Sequence, residues 1–391
     1  VPTTAIYASR ILTPTEELSD GVILVDGTKI TAIGHRDEIQ VPPDATHYAA
    51  PGSTVVPGFV DVHIHGAGGH DVMEGTSRAL DKVTETVARH GTTSLLATTV
   101  TAPLDETCHS LEGIARHIRN REQPQQGNQL SAEILGVHLE GPFISKAQRG
   151  VHPVDSLVKP SPETLERLIK AADGLVRIVT IAPELNGAVK TIEHAVNAGI
   201  VAAIGHTDAD YDQARAGIQA GARHAVHTYN AMRPFTHRDP GVIGAILTDP
   251  EITAEVIADG HHVAGPAIQV LMGTKGFETI ILVSDGIAAT AMRDGTYPLG
   301  SFKVTVKDGV ARNEEGKLAG STLTLDRALR FVVALGVPFA DAVRMVTIQP
   351  ARRIGIAGKK GILAPGSDAD LVVLTPDLRV EAVMTRGAGL I

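Results

Sequence analysis

The chain has 391 residues, 43% hydrophobic and 20% charged, the balance of a soluble globular protein with room for a large core and two domains. A formal net charge of −9, 3% aromatic residues and no tryptophan argue against a polyanion partner and a base-stacking platform, so no nucleic acid is expected. One cysteine, Cys108, excludes an intrachain disulfide, and no run approaches the roughly 18 apolar residues of a membrane span.

Residues 1–56 read as strands and turns: Ala5–Ala8, Gly21–Val25 and Lys29–Gly34 are β-type, with Asp26-Gly27 as a hairpin signal. The opening Val-Pro-Thr-Thr has neither the basic nor the apolar region of a secretion signal, which points to the cytoplasm. Over 57–357 apolar β runs alternate with amphipathic helical stretches at 76–91, 161–173, 187–199, 209–221 and 264–277. Candidate strands end near His63, Thr98, Glu140, Ala182, His206, Thr228, Asp259 and Asp285. Eight such strands with helices between them predict an α/β fold of the (β/α)8 TIM-type barrel. A doubly wound open sheet is the alternative, but its ligands would gather at one switch point. The polar 123–129 segment reads as a surface loop, and two further helices are expected at 322–335 and 338–348. Residues 358–391 return to β with a Pro365-Gly366 turn, so the two termini are expected to build one small sheet domain beside the barrel.

The strand ends carry the chemistry, because barrel sites gather at the C-terminal ends of strands. His63 and His65, two apart on a β run, share a face. Glu140, His206 and His227 form a Glu-His-His set with space for water, as a catalytic metal requires. His63 and His65 then complete a second metal position with Glu140 as the bridge. Asp285, before Gly286, is placed to take a proton from water and pass it to a leaving amine. His152, in the loop after the third strand, is placed to donate to a substrate carbonyl as charge develops there. The loops after strands 6 and 7 concentrate Asn230, Arg233, His237, Arg238, His261 and His262, a donor set suited to an anionic substrate group. No Walker-type glycine loop is present.

Together the segments PGFVDVHIHG (57–66), GVHLEGPFIS (136–145), RGVHP (149–153), IGHT (204–207), HTYNAMRPF (227–235), ADGHHV (258–263), LVSDG (282–286) and LAGST (318–322), with the ADLVVL tail (369–374), resemble the amidohydrolase superfamily, and within it the branch that deacetylates amino-sugar phosphates. The resemblance spans nearly the whole chain. It implies a metal-bearing (β/α)8 barrel with a small β-sandwich domain built from both termini, and removal of acetate from N-acetyl-D-glucosamine 6-phosphate. It implies Glu140, His206 and His227 as main metal ligands and His63 and His65 as ligands of a second metal, one or two divalent ions per chain, zinc first with iron, manganese or cobalt as alternatives. Asp285 is implied as the acid/base and His152 as the carbonyl-polarising group. Val151, Asn230, Ala231, Arg238, His262, Leu318, Ala319 and Gly320 are implied as sugar-phosphate contacts. The arginine matching Arg238 comes from the neighbouring subunit in that branch, which implies a homodimer. Strand 4, Arg177–Ala182, offers no lysine for the carbamylated bridge of other amidohydrolases.

Three rivals stand beside this reading. The sugar is the galacto epimer, N-acetylgalactosamine 6-phosphate; the enzyme is another metal-dependent amidohydrolase, such as a deaminase or dipeptidase; or the fold is a non-catalytic scaffold. The donor-rich loops disfavour the second, and retention of every candidate ligand disfavours the third.

Overall fold

The computed structural model describes residues 3–13, 15–121 and 130–390; the segment expected as a surface loop at 123–129 lies outside the described residues. Four strands come first: β1 (Thr4–Leu12), β2 (Glu17–Asp26), β3 (Lys29–His35) and β4 (Thr46–Pro57). The expected hairpin joins β2 to β3, with Asp26 opposite Lys29.

The barrel begins at β5 (Phe59–Ile64), and a short excursion, β6 (Gly66–Ala67) and β7 (His70–Asp71), leads to α1 (Ser77–Ala88). Then follow β8 (Thr92–Thr99), α2 (Leu104–Arg121), β9 (Glu133–Glu140), α3 (Pro162–Ala171), β10 (Val176–Ile181), α4 (Ala188–Asn197) and β11 (Val201–Ile204). The rest of the ring is α5 (Tyr211–Gln219), β12 (His224–Ala225), α6 (Gly241–Thr248), β13 (Thr253–Ile257), α7 (Gly265–Lys275) and β14 (Ile280–Val283). Every residue of β5, β8, β13 and β14 is buried, as expected of parallel strands covered on both sides. Helix starts follow local chemistry. Thr76 accepts from Ala79 N at 3.3 Å, Ser161 caps α3 ahead of Pro162, and Asp210 and Gln213 form a capping box on α5.

The eight strands run β14-β13-β12-β11-β10-β9-β8-β5 in one parallel sheet. Its two ends meet through backbone bonds, Asp285 N to His63 O at 2.9 Å and His65 N to Gly286 O at 2.7 Å. Asp61 reinforces this seam: its Oδ1 accepts from the backbone N of His63 at 3.2 Å and of Ser284 at 3.4 Å. The open doubly wound alternative is thereby set aside.

After β14 the chain forms a three-stranded sheet, β15 (Gly295–Leu299), β16 (Phe302–Lys307) and β17 (Val310–Arg312), which the sequence reading did not anticipate. Helices α8 (Leu325–Ala334), α9 (Phe339–Val346) and α10 (Ile348–Arg353) cover the ring, and β18 (Leu371–Leu374), β19 (Val380–Thr385) and β20 (Ala388–Gly389) return to the first strands. The small domain is one continuous sheet, β20-β19-β18-β4-β1-β2-β3. It curls so that Ile30 N donates to Ser367 O at 3.0 Å and Ala369 N to Thr28 O at 2.8 Å. Side chains from both ends, such as Ile23, Ile30, Leu371 and Met384, therefore share one core. At the junction with the barrel, Lys360 is 1% exposed and its Nζ meets Glu133 Oε2 at 2.6 Å, Asp370 Oδ2 at 2.7 Å and Asp368 Oδ2 at 3.0 Å. Among the described residues no helix is long and apolar enough to cross a membrane.

Candidate active site

His63 and Glu140 stand on barrel strands and His65 follows β5 by one residue, whereas His206, His227 and Asp285 follow β11, β12 and β14 by two residues. These last three adopt left-handed backbone, φ 47°, 27° and 49°. Non-glycine residues rarely do so, and such strain concentrates at functional sites. Here it bends the chain sharply beyond each strand, and the three side chains reach the barrel axis.

All six side chains converge. Glu140 Oε1 lies 2.9 Å from His227 Nε2, 3.1 Å from His206 Nε2 and 3.3 Å from His63 Nε2. Glu140 Oε2 lies 3.3 Å from His65 Nε2, and Asp285 Oδ1 lies 3.1 Å from His65 Nε2 and 3.6 Å from His63 Nε2. The opposite ring nitrogens set the tautomers. His65 Nδ1 pairs with Thr98 O at 3.0 Å and His206 Nδ1 with Gln148 O at 2.9 Å, so each donates there and keeps a lone pair on Nε2. His63 Nδ1 does the same toward Glu255 at 2.8 Å, and its buried Nε2 has no hydrogen-bond partner. His206 Nε2 and His227 Nε2 face each other at 3.1 Å. Imidazole nitrogens and carboxylate oxygens converging in this way fit a divalent cation, and imidazole and carboxylate are the donor set for zinc and its neighbours.

Burial works to lower the His63 and His65 imidazoles, but the facing carboxylates outweigh it and raise both, His65 to about 10, so a cation would take the Nε2 positions by displacing protons. Burial alone would raise the Glu140 carboxyl, but the His63 and His206 imidazoles hold it well below the usual carboxylate range. Asp285 is likewise held low, burial being outweighed by the His65 hydrogen bond and the His63 charge. His152 goes the other way: burial pushes it down to about 4, so it is neutral at pH 7. Its Nδ1 accepts from Thr101 N at 3.2 Å, which leaves the proton on Nε2, 3.5 Å from Glu140 Oε2.

A cavity of about 370 Å³ opens above these groups. Of the sequence-predicted contacts, Val151, Asn230, Ala231, His262, Leu318, Ala319 and Gly320 line it. His262 is fixed by Asp259, which accepts from its Nδ1 at 2.7 Å. Arg238 does not line the cavity; it is exposed on the segment after Pro234. Arg233, His237 and His261 also lie off it, Arg233 being turned onto Asp239 at 2.6 Å. Lys146, Gln148, Arg149 and Lys317 line the wall and were missed, although Lys146 and Arg149 flank the loop that carries His152. Glu255 and His224 were also missed. An acid in the middle of the apolar run Thr253–Ile257 was the available signal for Glu255.

The model of the Amidohydrolase family matches residues 54–388. A solved N-acetyl-D-glucosamine-6-phosphate deacetylase mutant from Mycobacterium smegmatis, in complex with N-acetyl-D-glucosamine-6-phosphate, is 39% identical, with a TM-score of 0.91 and 100% of both chains covered. The N-acetylglucosamine-6-phosphate deacetylase of Vibrio furnissii is 38% identical over 97% of this chain and 93% of its own. The N-acetylgalactosamine-6-phosphate deacetylase of Escherichia coli O157:H7 is 37% identical over 98% of each. Matched from the end of the small sheet through the barrel to the tail, and nearly end to end in its relatives, the chain belongs to the amidohydrolase family.

Proposed function

We propose that the chain hydrolyses the acetamide of N-acetyl-D-glucosamine 6-phosphate, giving D-glucosamine 6-phosphate and acetate. The observation that carries this reading is the convergence of Glu140, His206, His227, His63, His65 and Asp285 at the base of a cavity whose wall carries Lys146, Arg149 and Lys317. An acidic protein that lines its cavity with cations is suited to an anionic substrate. Glu140, His206 and His227 would hold one divalent cation, zinc by donor preference, and His63 and His65 with Glu140 a second. A cation held there would polarise the amide carbonyl and lower the pKa of the attacking water towards about 7.

The remaining steps fall to the chain's own side chains. Asp285, ionised and buried, takes a proton from the attacking water and returns it to the amide nitrogen as the C–N bond breaks. His152 presents a neutral Nε2–H to the carbonyl oxygen as negative charge develops there. Asn230, Ala231, His262 and the Leu318–Gly320 segment orient the sugar, with Val151 against it. Arg238 lies away from its own cavity, which supports a homodimer in which it reaches the partner's substrate phosphate.

The Escherichia coli relative keeps the galacto epimer as a second reading. Acetate release from both 6-phosphates by metal-analysed protein separates the two. The expected result is a kcat/KM for the gluco substrate well above that for the galacto one, and the reverse order would reassign the enzyme.

A further inference from the structure

Glu255 sits in the middle of β13 with 0% exposure, among apolar neighbours, and it touches no part of the cavity. A buried carboxylate is costly unless donors surround it, and this one has three. Its Oε2 accepts from His63 Nδ1 at 2.8 Å and from the backbone N of His227 at 3.1 Å. Its Oε1 accepts from His224 Nε2 at 2.8 Å, and the His224 Nδ1 meets Thr253 Oγ1 at 2.7 Å. A single carboxylate thus ties the side chain of a β5 residue to the backbone of a residue beyond β12. In the ring β13 and β14 lie between those strands, so no ladder hydrogen bond fixes their separation. The His138 ring closes the other side, edge-on to His63 at 4.6 Å with its Nδ1 on Val62 O at 3.1 Å.

We propose that Glu255 is a positioning residue: it fixes the tautomer and the reach of His63, and with them the spacing between the two cation-facing arms built on His63 and His227. A carboxylate has only acceptors, so His63 must donate through Nδ1 and turn its Nε2 lone pair to Glu140 and Asp285. This inference rests on reading His63 as a cation ligand, and the test separates the two ideas.

The full chain is stripped of divalent ions and titrated with Zn²⁺ and with Co²⁺. Bound equivalents, affinity by competition with a chelating dye, the visible absorption of Co²⁺ and the melting temperature are read. Glu255→Leu removes every acceptor, whereas Glu255→Gln keeps one oxygen for His63. The Leu variant is expected to weaken the His63-dependent equivalent about 10–100-fold and to change the Co²⁺ spectrum; the Gln variant loses less. In a His63→Ala background the Leu substitution should have no further effect on affinity. Equal losses in both backgrounds, or a lower melting temperature with unchanged affinity, overturn the positioning role. His63→Ala with unaltered count and affinity overturns the ligand reading itself. Should the Leu protein not fold, the same comparison is made with Glu255→Gln.

Discussion

Asp285 is the residue on which the proposed chemistry turns, because it sets an ionised carboxylate on the cavity wall beside the His63 and His65 imidazoles. Asp285→Asn preserves the shape and removes the base. General acid–base transfer contributes about 10²–10⁴-fold, so kcat for acetate release should fall by at least that factor with the melting temperature little changed. A variant within a few-fold of wild type would remove Asp285 from the reaction. Glu140 makes a different prediction, since it contacts His63, His65, His206 and His227. Glu140→Ala should lose bound divalent ion and activity together, and a chelator should reproduce that loss in wild type until Zn²⁺ is restored. Full activity in demonstrably metal-free protein would refute it.

At the scale of elements, α8 offers a stability test away from the site. Asp326 in its first turn is 6% exposed. Burial works to raise its carboxyl, but His90 at 3.6 Å, Thr324 and Arg330 Nη1 at 2.9 Å outweigh burial and hold it at about 2. A carboxylate depressed in the folded state stabilises above its unfolded pKa of about 3.9 and loses that contribution as pH falls toward about 2. Asp326→Asn should therefore lower stability by about 2 kcal/mol at pH 7, and denaturant titrations should show the gap closing between about pH 4 and about pH 2. A gap independent of pH would point to packing instead. Much at this scale was legible in the sequence, because alternating apolar runs and helical stripes are local patterns. The helices expected at 76–91, 161–173 and 187–199 appear as α1, α3 and α4, each a few residues shorter. What escaped had no local signature. Helix α6 is buried along most of its length, so it lacks the polar face that marks an amphipathic helix. Glu255 finds His63 across 192 residues, which no periodicity encodes. The strand-end histidines were visible as residue types, but the left-handed turns that aim His206 and His227 were not, because neither residue is glycine.

For the whole molecule, the place of Arg238 makes the prediction. It is exposed and away from the cavity of its own chain. If it serves a partner's site, mixing Arg238→Ala chains with Asp285→Asn chains should restore part of the activity that each homodimer lacks, since a hybrid holds one site with both residues intact. Charge-assisted hydrogen bonds contribute about 1.5–3 kcal/mol, so Arg238→Ala alone should lower kcat/KM for the phosphorylated sugar by roughly 10–150-fold and barely alter turnover of the unphosphorylated one. Verified hybrids without rescue would confine Arg238 to its own subunit.

The seam that closes the barrel also governs when the protein can first act during its synthesis. Asp61 and Ser284, which meet across it, are 223 residues apart in sequence. The strand bearing His63 therefore leaves the ribosome long before the one bearing Asp285. Because Asp285 N bonds to His63 O at that same seam, docking the last strand delivers the proposed base and completes the ring in one event. A nascent chain with only seven barrel strands thus lacks the proposed base, and on this reading hydrolysis begins only when the ring is whole.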